Sequence, residues 1–193
     1  ASAHHNLLTG AEGEGLSKRI GSLSLGELRD DGYEAMAVAL VAVLTGTSLP
    51  VEPYPSLAAV AERLELSMIS HGSARFDPGE LESLNARLLH EMPYEIARAR
   101  LPRAVGGAAW TILRANLQKF SDIEPWAAVL QDEAMHTPSP EEERAFLTDA
   151  LELLPPEPWD ETTWSAWTRA LKEKSGRKGR ALFHPLRLAL TGR

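Results

Sequence analysis

Apolar and polar residues follow one another along most of this chain with the spacing of amphipathic helices. Between 78 and 92, for example, Leu81, Leu84, Leu88 and Leu89 fall on one helical face. The same pattern predicts helices at about 24–31, 34–45, 56–64, 78–92, 94–100, 105–119, 122–131, 140–154 and 160–174. No alternating run is long enough to predict a sheet. The fold class is therefore expected to be mainly α.

Cap and breaker residues sharpen these boundaries. Ser24–Glu27 has capping-box spacing, and Asp77–Glu80 combines a capping Asp with Pro at the first helical position and Glu at the third. Ser56 is placed to cap the next helix. The three prolines of 48–55 predict a linker or an extended crossing, and 67–76 has the weak periodicity of an ordered loop.

Length and composition limit the class of protein. The 193 residues suffice for one large or two small domains, which we expect to join around residues 90–105. There is no cysteine, so disulfides and thiolate metal sites are excluded. The longest apolar run, residues 35–44, is half of the roughly 20 residues that a membrane span needs. A cytoplasmic protein without a membrane segment is expected.

The net charge of −7 hides a strong segregation. Residues 163–193 carry eight Lys or Arg and one acid, so the rest of the chain is left at −14. A second basic patch spans 94–119, with five bases against Glu95, and 121–161 carries twelve acids and only Arg144. Such asymmetry suits a basic face that binds an anionic polymer. Two solvated helix faces remain the alternative.

Most sequence signatures of catalysis are missing. The six histidines lack the spacing of a zinc site, so no metal site is expected, and no Walker, dinucleotide-binding or GxSxG pattern occurs. Trp164 and Trp167 lie one turn apart and are expected to anchor a packing face.

The stretch "EGEGLSKRIG", residues 12–21, is the main candidate for chemistry. A loop of Gly, Ser and Lys can bring an ammonium group and backbone N–H groups onto a polyphosphate. Within it, Leu16, Ser17, Lys18 and Arg19 are the candidate phosphate-binding residues. An inert surface loop is the alternative.

Three phrases in the chain resemble glutamyl-tRNA synthetases. The first runs from His4 or His5 through Leu16-Ser17-Lys18-Arg19 to Gly32-Tyr33-Glu34-Ala35 and is similar to the second class I signature region. The second is "ARFDPGELESLN" (74–85), and the third is "ALFHPLRLALTG" (181–192). They occur in family order and cover almost the whole chain.

The resemblance implies a helical stem-contact segment followed by an all-helical anticodon-binding domain. The implied division is 1–92 for the signature loop and stem contact, and 93–193 for the anticodon-binding region. The family activates glutamate with ATP and Mg²⁺ and transfers it to tRNA-Glu. Lys18 would be the catalytic cation, and Leu16, Ser17 and Arg19 would complete the ATP loop. Gly15 stands where the family motif has its first lysine.

The nucleotide-binding half that these motifs require is absent from the 193 residues. We therefore expect a piece trimmed at both ends, a monomer that binds tRNA-Glu, holds no cofactor and is not catalytic alone. Glutamate and ATP would be bound through the missing catalytic domain. Whether the full-length enzyme also charges tRNA-Gln is left open.

Cations of the two basic patches are the candidate RNA contacts: Arg114, Lys119, Arg177, Lys178, Arg180 and Arg187. Arg187 could equally be a structural arginine that pairs with a carboxylate. Asp77 is expected to cap a helix, and Asn85 could bond RNA or a neighbouring backbone group. A stand-alone helical adaptor that binds protein partners is the competing function.

Overall fold

The computed structural model describes residues 6–10, 13, 24–131 and 141–192, and nearly all the regular structure in these ranges is helical. This confirms the mainly α fold class. In chain order the elements are β1 (Leu8–Thr9), α1 (Leu25–Asp30), α2 (Ala35–Leu44), α3 (Leu57–Ala61), β2 (Ala74–Arg75), α4 (Pro78–Glu91), α5 (Tyr94–Ala97), α6 (Gly107–Leu113), α7 (Glu124–Leu130), α8 (Arg144–Glu152), α9 (Thr163–Ser175) and α10 (Arg180–Thr191). Short 3-10 helices lie at Leu66–Met68, Arg114–Asn116, Phe120–Ile123 and Glu141–Glu143.

Three helix starts have the capping bonds that the sequence predicts. The Ser24 hydroxyl accepts a hydrogen bond from the Glu27 amide at 3.1 Å, and the Glu27 carboxylate accepts one from the Ser24 amide at 2.7 Å. The Asp77 carboxylate accepts from the Gly79 amide at 2.8 Å, and Ser56 caps α3 with its hydroxyl. These side chains satisfy amides that a helix N-terminus leaves without a partner.

A first hydrophobic core lies between α2 and α4. Leu40 and Leu44 from α2 meet Leu81 and Leu84 from α4, and none of the four is more than 1% exposed. Tyr54, from the extended 48–55 segment, also packs into this core. Residues 48–55 therefore form an extended crossing with one buried aromatic anchor.

A two-stranded parallel sheet was not predicted. Leu8 pairs with Ala74 and Thr9 with Arg75, so each strand is only two residues long. Such strands are too short to give an alternating pattern, and their partners lie far apart in sequence. The pairing brings the chain that leads toward the 12–21 stretch beside the start of the 74–85 phrase.

A second core joins α4 to the segment that follows it. Leu89 of α4 packs with Trp110, Leu117 and Phe120, and the rings of Trp110 and Phe120 lie 5.6 Å apart between centroids. Because Leu84 belongs to the first core and Leu89 to this one, α4 is shared by both.

A third core belongs to the end of the chain. It contains Trp167 and Leu171 of α9 together with Leu182 and Leu186 of α10. The Trp167 indole donates a hydrogen bond to the Ala150 carbonyl of α8 at 2.7 Å. This buried bond satisfies the one polar group of the Trp167 side chain and fixes the ring.

The chain divides into two compact units, residues 1–127 and residues 128–193. Residues 93–127 belong to the first unit because they pack on the C-terminal half of α4 through the second core. The division between stem-contact and anticodon-binding roles at 92/93 stays a prediction.

The structure differs from the helix predictions at two places. The helix predicted at 105–119 ends at Leu113 and continues only as a 3-10 turn. Helix α10 was not predicted, because Pro185 lies inside it. Leu182 and Leu186 give that helix a buried stripe, and packing of this stripe outweighs the proline.

Candidate RNA-binding surface

The predicted ATP loop cannot be placed. Leu16, Ser17, Lys18 and Arg19 lie outside the described residues. Among the described residues, the candidate site is therefore the surface predicted to bind RNA.

Asn85 bonds backbone groups. Its side chain is fully buried; Oδ1 accepts a hydrogen bond from the Glu34 amide at 2.8 Å, and Nδ2 donates one to the Gln118 carbonyl at 2.6 Å. The bond to the Glu34 amide helps to cap α2, because the side chain of Glu34, the N-cap residue, makes no capping hydrogen bond of its own. Asn85 therefore ties α2 and the 114–119 segment to α4, which answers the question that the sequence left open. Asp77, as expected, caps a helix.

Arg100 is committed to one carboxylate and one ring. Its two terminal nitrogens donate to the two Glu34 oxygens at 2.9 and 2.7 Å. Its guanidinium carbon lies 3.8 Å from the centroid of the Phe120 ring. The hydrogen bonds to Glu34 raise the pKa of Arg100 above its ordinary value. A bidentate, stacked arginine of this kind holds two segments together.

Two predicted RNA contacts, Arg114 and Lys119, also have partners within the first unit. Arg114 Nη1 donates to the Met92 carbonyl at 2.7 Å, where the Trp110 indole also donates at 2.9 Å. The Lys119 ammonium lies 4.7 Å from the centroid of the Tyr33 ring. Most of the charge of the 94–119 patch is therefore held by intramolecular contacts.

Arg177, in the second patch, is also held in place. It forms a hydrogen-bonded ion pair with Glu143, and its guanidinium lies 4.3 Å from the centroid of the Phe146 ring. Its Nη1 also donates to the Ala181 carbonyl at 3.4 Å. Pro185, four residues later, has no N–H to bond that carbonyl. Arg177 therefore supplies a hydrogen bond to the Ala181 carbonyl, which lacks its intrahelical partner because residue 185 is proline.

Lys178 and Arg180 form the open part of the same patch. Both side chains are exposed where α9 leads into α10, and within the described ranges no hydrogen bond or ion pair involves either side chain. Arg187 is exposed farther along α10. Lys174, by contrast, bridges Asp149 at 2.7 Å and Glu152 at 3.2 Å, and its hydrogen bond to Asp149 does most to raise its pKa. The turn after α9 thus presents cations to solvent.

The two tryptophans of α9 have different environments. Trp167 is buried, as a packing anchor should be, whereas Trp164 is 46% exposed and stacks on Phe183, which is 44% exposed. The sequence did not identify this exposed pair. The two residues lie 19 positions apart, and the proline in α10 disfavours the helix that carries Phe183, so no local pattern links them.

Within residues 6–10, 13, 24–131 and 141–192, no group of three His, Cys, Asp or Glu side chains could hold a metal ion. None of the described helices is both long enough and apolar enough to cross a membrane.

Residues 83–193 match the family described as the Anticodon binding domain. This match covers more than half of the chain, and the chain belongs to that family. It spans α5 to α10 and all the cations predicted to contact RNA.

The relatives are glutamate–tRNA ligases. Over 98% of its length the chain is 52% identical to glutamate–tRNA ligase 1 of Brucella canis and 51% identical to glutamate–tRNA ligase 2 of Brucella melitensis. It spans 43% of the length of each. This confirms the resemblance to glutamyl-tRNA synthetases that the three phrases carry.

Solved structures agree on the fold. The glutamate-tRNA synthetase of Elizabethkingia anophelis matches with a TM-score of 0.70 at 18% identity, over 98% of this chain and 45% of that one. A glutamate tRNA ligase of Elizabethkingia meningosepticum in complex with its amino acid gives 0.68 at 19%, over 99% and 45%. The helical architecture is therefore shared even where the sequence is not.

Proposed function

We propose that this chain is the tRNA-binding portion of a glutamate–tRNA ligase. The observation that carries the proposal is the 52% identity to such a ligase over 98% of the chain. The Anticodon binding domain match over residues 83–193 supports RNA as the partner. The proposed RNA is tRNA-Glu, bound by a cytoplasmic monomer.

The proposed RNA contacts are the cations that α10 and the turn before it present to solvent. Lys178, Arg180 and Arg187 are exposed and would neutralise phosphates, which supplies most of the sequence-independent affinity for RNA. Arg177 in the second unit and Arg114 in the first would each hold their own surroundings in place, since their nitrogens already donate to protein groups. Lys119 would stabilise the first unit through the contact of its ammonium group with the Tyr33 ring.

The ligase reaction is proposed for the longer protein. It would activate glutamate with ATP and Mg²⁺ and esterify tRNA-Glu, with Lys18 stabilising charge on the reacting phosphates. Leu16, Ser17 and Arg19 would shape that loop. The 193 residues alone would bind tRNA without catalysing either step, because the chain spans only 43% of such ligases.

The proposal is tested by measuring binding of a tRNA-Glu transcript to the chain over a range of salt concentrations. We expect the affinity to fall steeply with salt, and Lys178→Glu or Arg180→Glu to weaken binding and flatten the salt slope by about one contact each. Arg144→Glu is the matched control, because Arg144 is exposed in the same unit next to Glu141–Glu143.

The competing function, a helical adaptor for protein partners, gives a different result. The chain would then fail to bind tRNA at low salt, and reversal of Lys178 or Arg180 would change nothing. That outcome would rule out the RNA role of this chain.

A further inference from the structure

Trp164 of α9 and Phe183 of α10 form an exposed aromatic ledge. Their ring centroids lie 6.4 Å apart, the planes are inclined by 27°, and 46% and 44% of the two residues are open to solvent. Two adjacent large rings that are both this open form a small contiguous apolar surface. The ledge is therefore a candidate contact surface.

The Trp164 ring of the ledge is held in place by a second tryptophan. Trp164 meets Trp167 edge-on, with centroids 5.5 Å apart and an interplanar angle of 70°. Trp167 is itself fixed by its hydrogen bond to the Ala150 carbonyl. Rings held in this way bind a flat partner with little loss of side-chain entropy.

Cations flank the ledge on α10. Arg180 precedes Phe183 by three residues and Arg187 follows it by four, so helical periodicity places all three on one face. Both arginines are exposed, and α10 contains no acidic residue. The surface thus combines an apolar flat face with positive charge, which suits an anionic partner that carries flat rings.

We propose that Trp164 and Phe183 form a stacking platform for an unpaired base of the bound tRNA, while Arg180 and Arg187 contact the adjoining phosphates. This inference rests on the proposed tRNA-binding function and specifies how one part of the surface performs it. Proteins that bind single-stranded RNA combine aromatic stacking with a cationic groove in this way. An apolar protein surface fits less well, because it would offer the exposed Arg180 no anionic group.

The test uses the full chain and a tRNA-Glu transcript. Trp164→Leu and Phe183→Leu keep an apolar side chain at half-exposed positions but remove the flat ring. We expect each to weaken binding about tenfold, because each removes a ring on which a base would stack. The salt slope should stay at the wild-type value, because stacking releases no counterions. Arg180→Gln should instead flatten that slope.

Trp159→Leu is the matched control, since Trp159 is 55% exposed in the same unit and its indole donates to the Pro155 carbonyl. It should bind as the wild type does, and Trp164→Phe should recover most of the affinity lost in Trp164→Leu. A fully paired RNA duplex with no loop should bind the wild type and the four aromatic variants, Trp159→Leu, Trp164→Leu, Trp164→Phe and Phe183→Leu, equally.

The outcomes separate the two proposals. If the wild-type chain does not bind tRNA at low salt, the proposed function fails and the platform with it. If the wild type binds and both leucine variants bind equally well, the platform alone is wrong. Equal losses on the loop-free duplex would also overturn it.

A second measurement needs no variant, so it stands even if a leucine variant unfolds. An RNA hairpin that carries 2-aminopurine in turn at each unpaired position is added to the wild-type chain. Stacking on the platform should quench the fluorescence of at least one position. Unchanged fluorescence at every position, with the hairpin bound, would contradict the inference.

Discussion

Asn85 and Arg177 illustrate how little the type of a polar residue says about its role. Asn85 lies in the 74–85 phrase and Arg177 in the basic patch at 163–193, yet each contacts protein groups. Asn85 bonds two backbone groups in the first unit, and Arg177 pairs with Glu143 and reaches the Ala181 carbonyl. Since their partners lie about 30 or more residues away in most of these contacts, local sequence could not assign them. Each of these polar side chains is thus committed to contacts within its own unit.

Replacement of Asn85 should be costly. Asn85→Ala removes the partners of the Glu34 amide and the Gln118 carbonyl and leaves a small cavity, which should lower the free energy of unfolding by about 3 kcal/mol. Urea denaturation measures this. Asn116→Ala, at an exposed position, should change it by no more than about 0.5 kcal/mol. Equal effects of the two variants would contradict the role given to Asn85.

Gly46 is constrained by its backbone and by its neighbours. Its φ is +84°, and a Cβ built there would lie 2.7 Å from the Cβ of Ala74 and 1.5 Å from Asn6 Nδ2. Gly176 has a φ of +69° but nothing within 4 Å of such a Cβ. Gly176→Ala should therefore cost only the backbone term, about 1 kcal/mol, whereas Gly46→Ala should cost about 3 kcal/mol. Thermal unfolding of both variants measures this, and the difference between their losses of stability is the steric cost at Gly46. If Gly46→Ala is destabilised no more than Gly176→Ala, there is no such steric cost.

At the scale of elements, the sequence predicts what local chemistry decides. The starts of α1, α3 and α4 were predicted because each has its capping side chain within three residues. The β1–β2 pairing and α10 were missed because both depend on distant partners. In α10, the contact from Arg177 and the buried leucines compensate for a proline that normally ends a helix. The missed elements depend on tertiary packing between residues far apart in sequence, which a short stretch of sequence does not reveal.

Arg177 and Pro185 should therefore be energetically coupled. Arg177→Gln breaks the hydrogen-bonded ion pair with Glu143 and should cost about 2 kcal/mol. Pro185→Ala supplies an amide that can bond the Ala181 carbonyl in place of Arg177. In that background Arg177→Gln should cost less, by about 0.5–1 kcal/mol. Urea unfolding of the four chains gives the coupling; strictly additive effects would show that Arg177 does not support this carbonyl.

At the scale of the whole molecule, charge segregation predicts a surface for RNA but does not rank the cations within it. The sequence gives equal weight to every Lys and Arg of a patch, and only the fold shows that Arg100, Arg114, Lys174 and Arg177 have protein partners. Lys178 and Arg180 are exposed, and within the described residues neither side chain has a hydrogen bond or ion pair. The exposed ledge of Trp164 and Phe183 likewise required the packing of α9 on α10.

The proposed division of labour between the 12–21 stretch and the α9–α10 surface leads to opposite phenotypes in the full-length protein. Lys18→Ala removes a cation from the reacting phosphates, so it should slow aminoacylation at saturating tRNA-Glu by about a hundredfold or more and leave the tRNA Kd nearly unchanged. Arg180→Glu should raise the tRNA Kd and leave the rate at saturating tRNA near the wild-type value. Quench-flow aminoacylation and equilibrium tRNA binding measure the two quantities separately. Wild-type rates in Lys18→Ala would exclude the catalytic role of Lys18, and an unchanged Kd in Arg180→Glu would remove Arg180 from the RNA surface. Lys18→Ala should change the aminoacylation rate and Arg180→Glu the tRNA Kd, so failure of one assignment leaves the other intact.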